Sequence, residues 1–273
     1  MGIKGKRMKS TGFKIGAVIS GIVLLIIITG CFWTPYDPEA IDTSLKLAPV
    51  SAAHPMGCDQ FGRDVLSRIM AGGRITLLTA LGTVVLGAGI GIVTGALSGY
   101  FGGIIDTVFM RTADAFLAFP SVLLALVVIA VLGTGELQLV LSLGIAFAPS
   151  FARVVRGEVL RSRNLCYVQA AGLQGASHIR ILFVHILPNV KSVLISALLI
   201  GFNNAVLAEA ALSYLGIGVQ PPKPSLGGML AESQQYLFSE PQLCIFPGAV
   251  LILLVLGFGL MGDSLGAAKR EVK

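Results

Sequence analysis

An all-helical protein threaded several times through a membrane is the fold class that this sequence predicts, on three observations. Of 273 residues, 55% are hydrophobic and 12% charged, about half the charged share of a soluble domain, so polar side chains are too few to cover a core of this size. The apolar residues collect in six runs whose lengths suit a hydrocarbon layer about 30 Å thick at a rise of 1.5 Å per residue. Lys and Arg concentrate in alternate connections between those runs, as basic residues that resist translocation do.

The first run, Phe13 to Trp33, holds ten Ile, Val and Leu between Ile15 and Ile28, which together favour insertion by roughly 3 to 6 kcal/mol. Lys14 at its edge can snorkel to the headgroups. Five further spans are expected at Thr76–Tyr100, Phe116–Leu132, Leu137–Phe151, Val190–Leu212 and Cys244–Met261. Lys4, Lys6, Arg7, Lys9 and Lys14 precede the first span without an acid, which puts the N-terminus in the cytoplasm. Loops 101–115 and 152–189 and the C-terminal tail then fall inside as well. Of the 20 Lys and Arg, only Lys46, Arg63, Arg68, Arg74 and Lys223 fall outside. Topology thus accounts for the net charge of +6, and the dispersal of the basic residues argues against nucleic acid as a partner. A second interpretation of the first span stays open: Ile28, Thr29, Gly30 and Cys31 after a basic start also form a lipoprotein cleavage box, and the intact mass of the chain separates the two.

Along the second span Thr79, Thr83, Gly87, Gly91, Gly95 and Gly99 recur every fourth residue, a stripe of small side chains that lets another backbone approach closely. It is structural packing or, alternatively, a surface that slides during a working cycle. The segment from Ala152 to Pro188 carries Arg153, Arg156, Arg161, Arg163 and Arg180, which hold it on the inside. Leu165, Val168 and Ala171 form a small apolar face, Gly175 interrupts, and Ile179, Leu182, Phe183 and Ile186 form a second face before Pro188 opens the next span. Such a helix, break and helix either lies in the headgroups or docks a soluble subunit, with Ala170 and Ala171 permitting a close fit.

Gln169, Ala170, Ala171, then Gly175, then His185, Ile186, Leu187 and Pro188 resemble the "EAA" loop of the permeases of ATP-binding-cassette importers. The family's Glu is replaced by Gln169, and Gly172 stands where a basic residue is usual. Further stretches resemble the dipeptide, oligopeptide and nickel branch of that family: Pro35 to Pro38, Gly57 to Arg74 with Cys58 for the usual Thr, Gly99 to Pro120, and Glu209 to Leu230 with Leu226 for the usual Trp. The resemblance implies a type I permease core preceded by an extra N-terminal helix. Residues 1–71 would hold the basic segment, first span and external segment, residues 72–265 a five-helix core including coupling loop 152–189, and residues 266–273 a cytoplasmic tail. It also implies that Tyr167, Gln169, Ala170, Ala171, Gly175, His185, Leu187 and Pro188 couple to an ATPase, and that Pro221, Pro222, Pro224 and Gly227 face a solute-binding protein outside. The implied partners are a second homologous permease, two ATP-binding subunits carrying ATP and Mg, and that binding protein, all at a bacterial or archaeal plasma membrane.

Local chemistry adds three expectations. Asp64 and Arg68, four apart, pair on an external interfacial helix with apolar face Val65, Leu66, Ile69 and Met70. Arg111 pairs with Asp114. Glu209, a carboxylate within a span, must be paired, hydrated or protonated; with Asn203 and Asn204 it lines a pathway or gate, or else it serves as a structural hydrogen-bonding group. The three histidines and the scattered Cys31, Cys58, Cys166 and Cys244 make no metal set, and no phosphate-binding loop, zinc-protease motif or nucleophile elbow occurs. The chain is therefore expected to be no enzyme, to bind no cofactor, and to take energy from a partner. An ion-coupled transporter is the rival function, but it usually shows several intramembrane charges and repeats, where this sequence offers Glu209. A membrane-embedded enzyme is the third, and the spans hold no Ser/His pair, Asp pair or His cluster. Cargo stays open between peptides and nickel or a metal chelate.

Overall fold

The computed structural model describes the backbone of residues 2–270 and the side chains of residues 11–266. It is helical, with no β-strand among the described residues: α1 Gly2–Phe32, α2 Val65–Phe101, α3 Gly103–Leu117, α4 Ser121–Leu132, α5 Glu136–Ser162, α6 Cys166–Leu173, the single turn α7 His178–Arg180, α8 Lys191–Tyr214, α9 Leu226–Ser233 and α10 Gln242–Arg270. Five helices among the described residues are long and apolar enough to cross a membrane, and the bent pair α3–α4 makes six if it counts as one span. The basic side chains of Lys4, Lys6, Arg7 and Lys9, and most of tail 266–273, lie outside the described residues.

Three span boundaries move. The expected third span, Phe116–Leu132, is broken: α3 and α4 meet at 93°, because Pro120 lacks an N–H and forces the preceding residue out of helical geometry. The fourth does not end at Phe151. It continues to Ser162, since Arg153 and Arg156 find carboxylates at Asp114 and Asp106 on α3 and so remain on the helix rather than in a loop. Arg153 displaces Arg111 as the partner of Asp114 (2.7 Å). The second span begins at Val65, not Thr76, so the external interfacial helix is simply its first turns. Asp64 caps that helix by accepting from Ser67 N (2.8 Å), and its carboxylate is taken up there and by His54, not by Arg68.

The glycine stripe explains why α2 is central. A Cβ at Gly87 would stand 2.9 Å from Gly144 O, one at Gly91 2.7 Å from Ala148 O, and one at Gly99 2.9 Å from Arg156 O, while Gly95 lies directly on Ala152. Both helices advance four residues per step, so α2 and α5 run parallel and in register, backbone on backbone. On the other flank Gly30 of α1 meets Met70, and Gly16 meets Gly257, joining α1 to α2 and α10. The main core lies between these helices and α8, with Ile27, Val84, Leu143, Phe147, Phe202 and Leu212 among its buried members.

Candidate functional site

Three regions hold polar or unusual chemistry: the segment after α5, an open groove between α5 and α8, and a cap at the opposite end of the bundle. The order of the helices puts the first and last at opposite ends, since α2 and α5 both run from the cap toward the segment and α8 runs back.

After α5, Leu165 starts α6, and Gly175, at a φ of 80° that strongly favours glycine, reverses the chain. Ala176 N bonds back to Ala171 O at 3.1 Å and Ser177 caps α7. Val168 and Ala171 are buried against Ala96, Val155, Val159, Ile181, Leu182 and Ile186. The apolar face that sequence offers to a partner is thus split: Val168 and Ala171 turn onto the chain itself, whereas Leu165 stays exposed. The outward surface of α6 consists of Cys166, Tyr167, Gln169, Ala170, Gly172 and Leu173, the last 90% exposed. The second expected face splits too. Residues Ile181–Ile186 wind as a π-helix, whose wider turn brings residues five apart to one side, so Ile181 and Ile186 are buried with Leu182 while Ile179 and Phe183 are exposed. His185 and Leu187 are half-buried and Pro188 exposed.

This segment grips the end of α2. Arg163 Nη1 donates to the carbonyls of Gly99 (3.2 Å) and Tyr100 (3.4 Å), groups that a helix end leaves unpaired. Tyr100 Oη lies 2.8 Å from His178 Nδ1. Asn189 Nδ2 donates to His185 O (2.6 Å) and Tyr167 Oη (3.2 Å), tying the foot of α8 to α6.

The groove, about 570 Å³, is walled by Phe147, Ser150, Phe151 and Val154 of α5, Val193, Ser196, Gly201 and Asn204 of α8, and Phe116, Leu117, Phe119 and Ser121 around the bend. Ser121, Ser150 and Asn204 thus face open space at membrane depth within a mainly apolar wall, where lipid would leave them unsatisfied, whereas Ser196 is buried and donates to Ser192 O (3.1 Å). Of the sequence candidates only Asn204 lines it. Asn203 is turned toward Gly259 of α10. Glu209 is fully buried, with Oε1 accepting from Ser213 Oγ (2.7 Å).

The cap is built on charge. Asp59 Oδ2 accepts from Arg63 Nε (2.6 Å), and Glu232 Oε2 accepts from Arg63 Nη2 (2.8 Å) and Arg68 Nη2 (3.0 Å). His54 Nδ1 stands 2.9 Å from Asp64 Oδ1. The Glu136 carboxylate accepts from Lys223 (2.7 Å) and holds its ammonium above the usual lysine range. Of the four expected outer contacts, Pro221 and Pro222 are exposed, but Pro224 and Gly227 are buried. Gly227 lies directly on Ala210 of α8, leaving no side for a partner. Among the described residues no cluster of His, Cys, Asp and Glu could hold a metal ion.

Sequence alone did not single out Ser121, Ser150, Phe151, Ser196 or Gly201, because a lone Ser or Gly in an apolar helix does not say which helix it faces. Arg163 and His178 were legible as a cytoplasmic charge and a loop histidine, not as the grip on α2.

Comparison with known proteins gives the family. Residues 91–268 match the family described as "Binding-protein-dependent transport system inner membrane component". The chain is 39% identical over 254 residues to a glutathione transport system permease protein of Pectobacterium atrosepticum, covering 91% of this chain and 84% of that one. It is 38% identical over 263 residues to a dipeptide transport system permease protein of Haemophilus influenzae, covering 94% and 89%. To a nickel transport system permease protein of Escherichia coli it is 34% identical over 252 residues, covering 92% and 91%.

Proposed function

This chain belongs to the family of binding-protein-dependent transport system inner membrane components, as an importer permease of the peptide, glutathione and nickel type, and from that premise we propose that it is one of two permease halves carrying a small solute inward at the expense of ATP hydrolysed by partners. The cargo is a short peptide or a peptide-like thiol, as the relatives' names suggest, with nickel or its chelate second. A second permease closes the open side of the groove. Two ATP-binding subunits, holding ATP and Mg, dock on the outward surface of α6. A solute-binding protein delivers cargo at the cap, near Pro221 and Pro222. The chain lies in a bacterial or archaeal plasma membrane with both termini in the cytoplasm, and it performs no chemistry of its own.

The observation that carries this is the seating of α6. Its inner face, Val168 and Ala171, is buried in a cluster with the 181–186 turn, Ala96 of α2 and Val155 and Val159 of α5, and its outer face presents Ala170, Gly172 and Leu173 uncovered. A small exposed surface whose buried side shares a cluster with two spans suits the transfer of a push from a soluble subunit into the bundle. The open groove supports the solute path, since Ser121, Ser150 and Asn204 line it within otherwise apolar walls and are not buried in the core.

The test is site-directed crosslinking of Ala170→Cys and Gly175→Cys in native membranes. Capture of an ATP-hydrolysing subunit at either position is the expected result. Failure at both, or labelling of both by an impermeant reagent from outside the cell, overturns the proposal.

A further inference from the structure

A second cavity, about 160 Å³, lies between α2, α3 and α5, walled by Ile90 and Thr94 of α2, Phe109, Thr112 and Ala113 of α3, and Ile145 of α5 among others. Its lining is apolar except for the two threonines, and both hydroxyls are engaged within their own helices. Thr94 Oγ1 donates to Ile90 O (2.8 Å) and Thr112 Oγ1 to Val108 O (2.9 Å). The cavity therefore asks for no polar ligand, and an apolar cavity of this order of size stays dry and takes apolar guests.

Its surroundings belong to the lipid-facing side of the bundle. Ile90, a wall residue, is exposed, and so are Val93, one turn along α2, and Ile105 and Val108, one turn before Phe109 and Thr112 on α3. Thr94 and Ile90 stand about 10 and 17 Å from the end of α2 at Phe101, at 1.5 Å per residue, which places the cavity within the leaflet on the α6 side. One cation interrupts this apolar surface. Arg111 is exposed on the stripe of α3 that also carries Ile104, Val108 and Ala115. Asp114, three residues on, is held by Arg153, and Arg111 makes no ion pair among the described residues. Helical side chains lean toward the helix N-terminus, here the α6-side end of the span, so the guanidinium leans toward the phosphates of that leaflet, where a lone charge facing lipid is neutralised.

We propose that the cavity and Arg111 together form a binding site for one phospholipid, with an acyl chain entering between Ile90 and Thr112 and the anionic headgroup on Arg111. The lipid fills space that the three helices leave between them. This site rests on the membrane-spanning fold alone and not on the proposed transport cycle.

The complete transporter, purified, stripped of lipid with detergent and reconstituted with phosphatidylglycerol carrying a diazirine near the end of one acyl chain, tests this. Mapped by mass spectrometry after illumination, label should concentrate on Ile90, Phe109 and Thr112 over Val85, which is exposed on α2 but is no wall of the cavity. Ala113→Phe fills the cavity and should remove that preference while Val85 is labelled as before. Arg111→Gln should reduce cavity labelling at limiting lipid roughly fivefold, the weight of one basic residue at an anionic surface. Arg111→Lys should restore most of it, and this surface pair stands in if Ala113→Phe does not assemble. Even labelling of the cavity walls and Val85 means passing contact with bulk lipid only, and overturns the site. Cavity labelling that neither Ala113→Phe nor Arg111→Gln changes does the same. Capture of the second permease by a crosslinker on Thr112→Cys shows that protein covers the mouth, with the same result.

Discussion

Gly95 of α2 and Ala152 of α5 touch backbone to backbone, with no room for a side chain between them. Any Cβ at 95 forces the two helices apart along the whole register from Gly87 to Gly99, because packed helices do not yield locally. Gly95→Leu should therefore destabilise the permease by about 1 to 3 kcal/mol or more, seen as a shortened half-life of the detergent-purified complex at elevated temperature. Gly89 is the control on the same helix. A Cβ there meets nothing within 4 Å, and Gly89→Leu should leave the half-life unchanged.

Arg68 is among the largest fully buried side chains, and two acids, Asp59 and, on α9, Glu232, each reach both Arg68 and Arg63. Removing Glu232 leaves the buried Arg68 with only the longer contact to Asp59 (3.4 Å), a partial loss of compensation that costs about 1 to 3 kcal/mol. Glu232→Ala should loosen α9 and the external segment from the head of α2. Limited proteolysis applied to the outer face should cut residues 33–64 faster in the variant. Glu240→Ala, between α9 and α10 and with its carboxylate bonded to neighbouring Gln242, should not change the cutting pattern.

Much of this molecule was legible in the sequence because lipid makes hydrophobic length informative: five long spans appear where apolar runs predict them. The broken third span was not, although Pro120 was in view, since a proline allows a kinked span as well as a sharp corner. Helix ends moved for a related reason. Arg153 and Arg156 look like loop residues until the α3 carboxylates that neutralise them are in place. For the coupling segment, the 3.6-residue period predicted that Val168 and Ala171 share a face, but not whether that face meets a partner or the chain itself. The seating of the Phe151 ring of α5 against Gly201 of α8 depends on the packing of two helices distant in sequence, and nothing local encodes it.

Cys58 lies buried beneath the external segment, 2% exposed, and burial first, then the carboxylates of Asp64, Asp59 and Asp42, push its thiol from 9.0 up to about 11. The native state therefore holds this proton more tightly than the unfolded chain does. Stability from the neutral thiol is complete below pH 9 and is lost as pH rises toward 11, a swing of about 2 to 3 kcal/mol at 1.36 kcal/mol per unit. Thermal unfolding of the wild type should fall more steeply between pH 9 and 11 than that of Cys58→Ala. At pH 7.5 maleimide should label the exposed Cys166 of the isolated permease and leave Cys58 untouched until the chain unfolds, because the thiolate is the reactive form.

Glu209 and Asn204 separate two roles that sequence left joined. Glu209 accepts from Ser213, whose hydroxyl in turn accepts from Val219 N (3.2 Å), so the carboxyl anchors the start of the loop that leads to α9. It has no face on the groove. Glu209→Gln keeps an acceptor for Ser213 and should transport at close to the wild-type rate. Glu209→Leu leaves the Ser213 hydroxyl without that acceptor in a buried site and should cost about 1 to 3 kcal/mol of stability. Asn204 is exposed on the groove wall. Asn204→Leu should leave stability and assembly unchanged yet slow uptake roughly fivefold, about 1 kcal/mol on the barrier. Uptake into vesicles with the binding protein and ATP, read beside thermal half-life, distinguishes the two. A Glu209→Gln complex that assembles normally but no longer transports would return that carboxylate to the path.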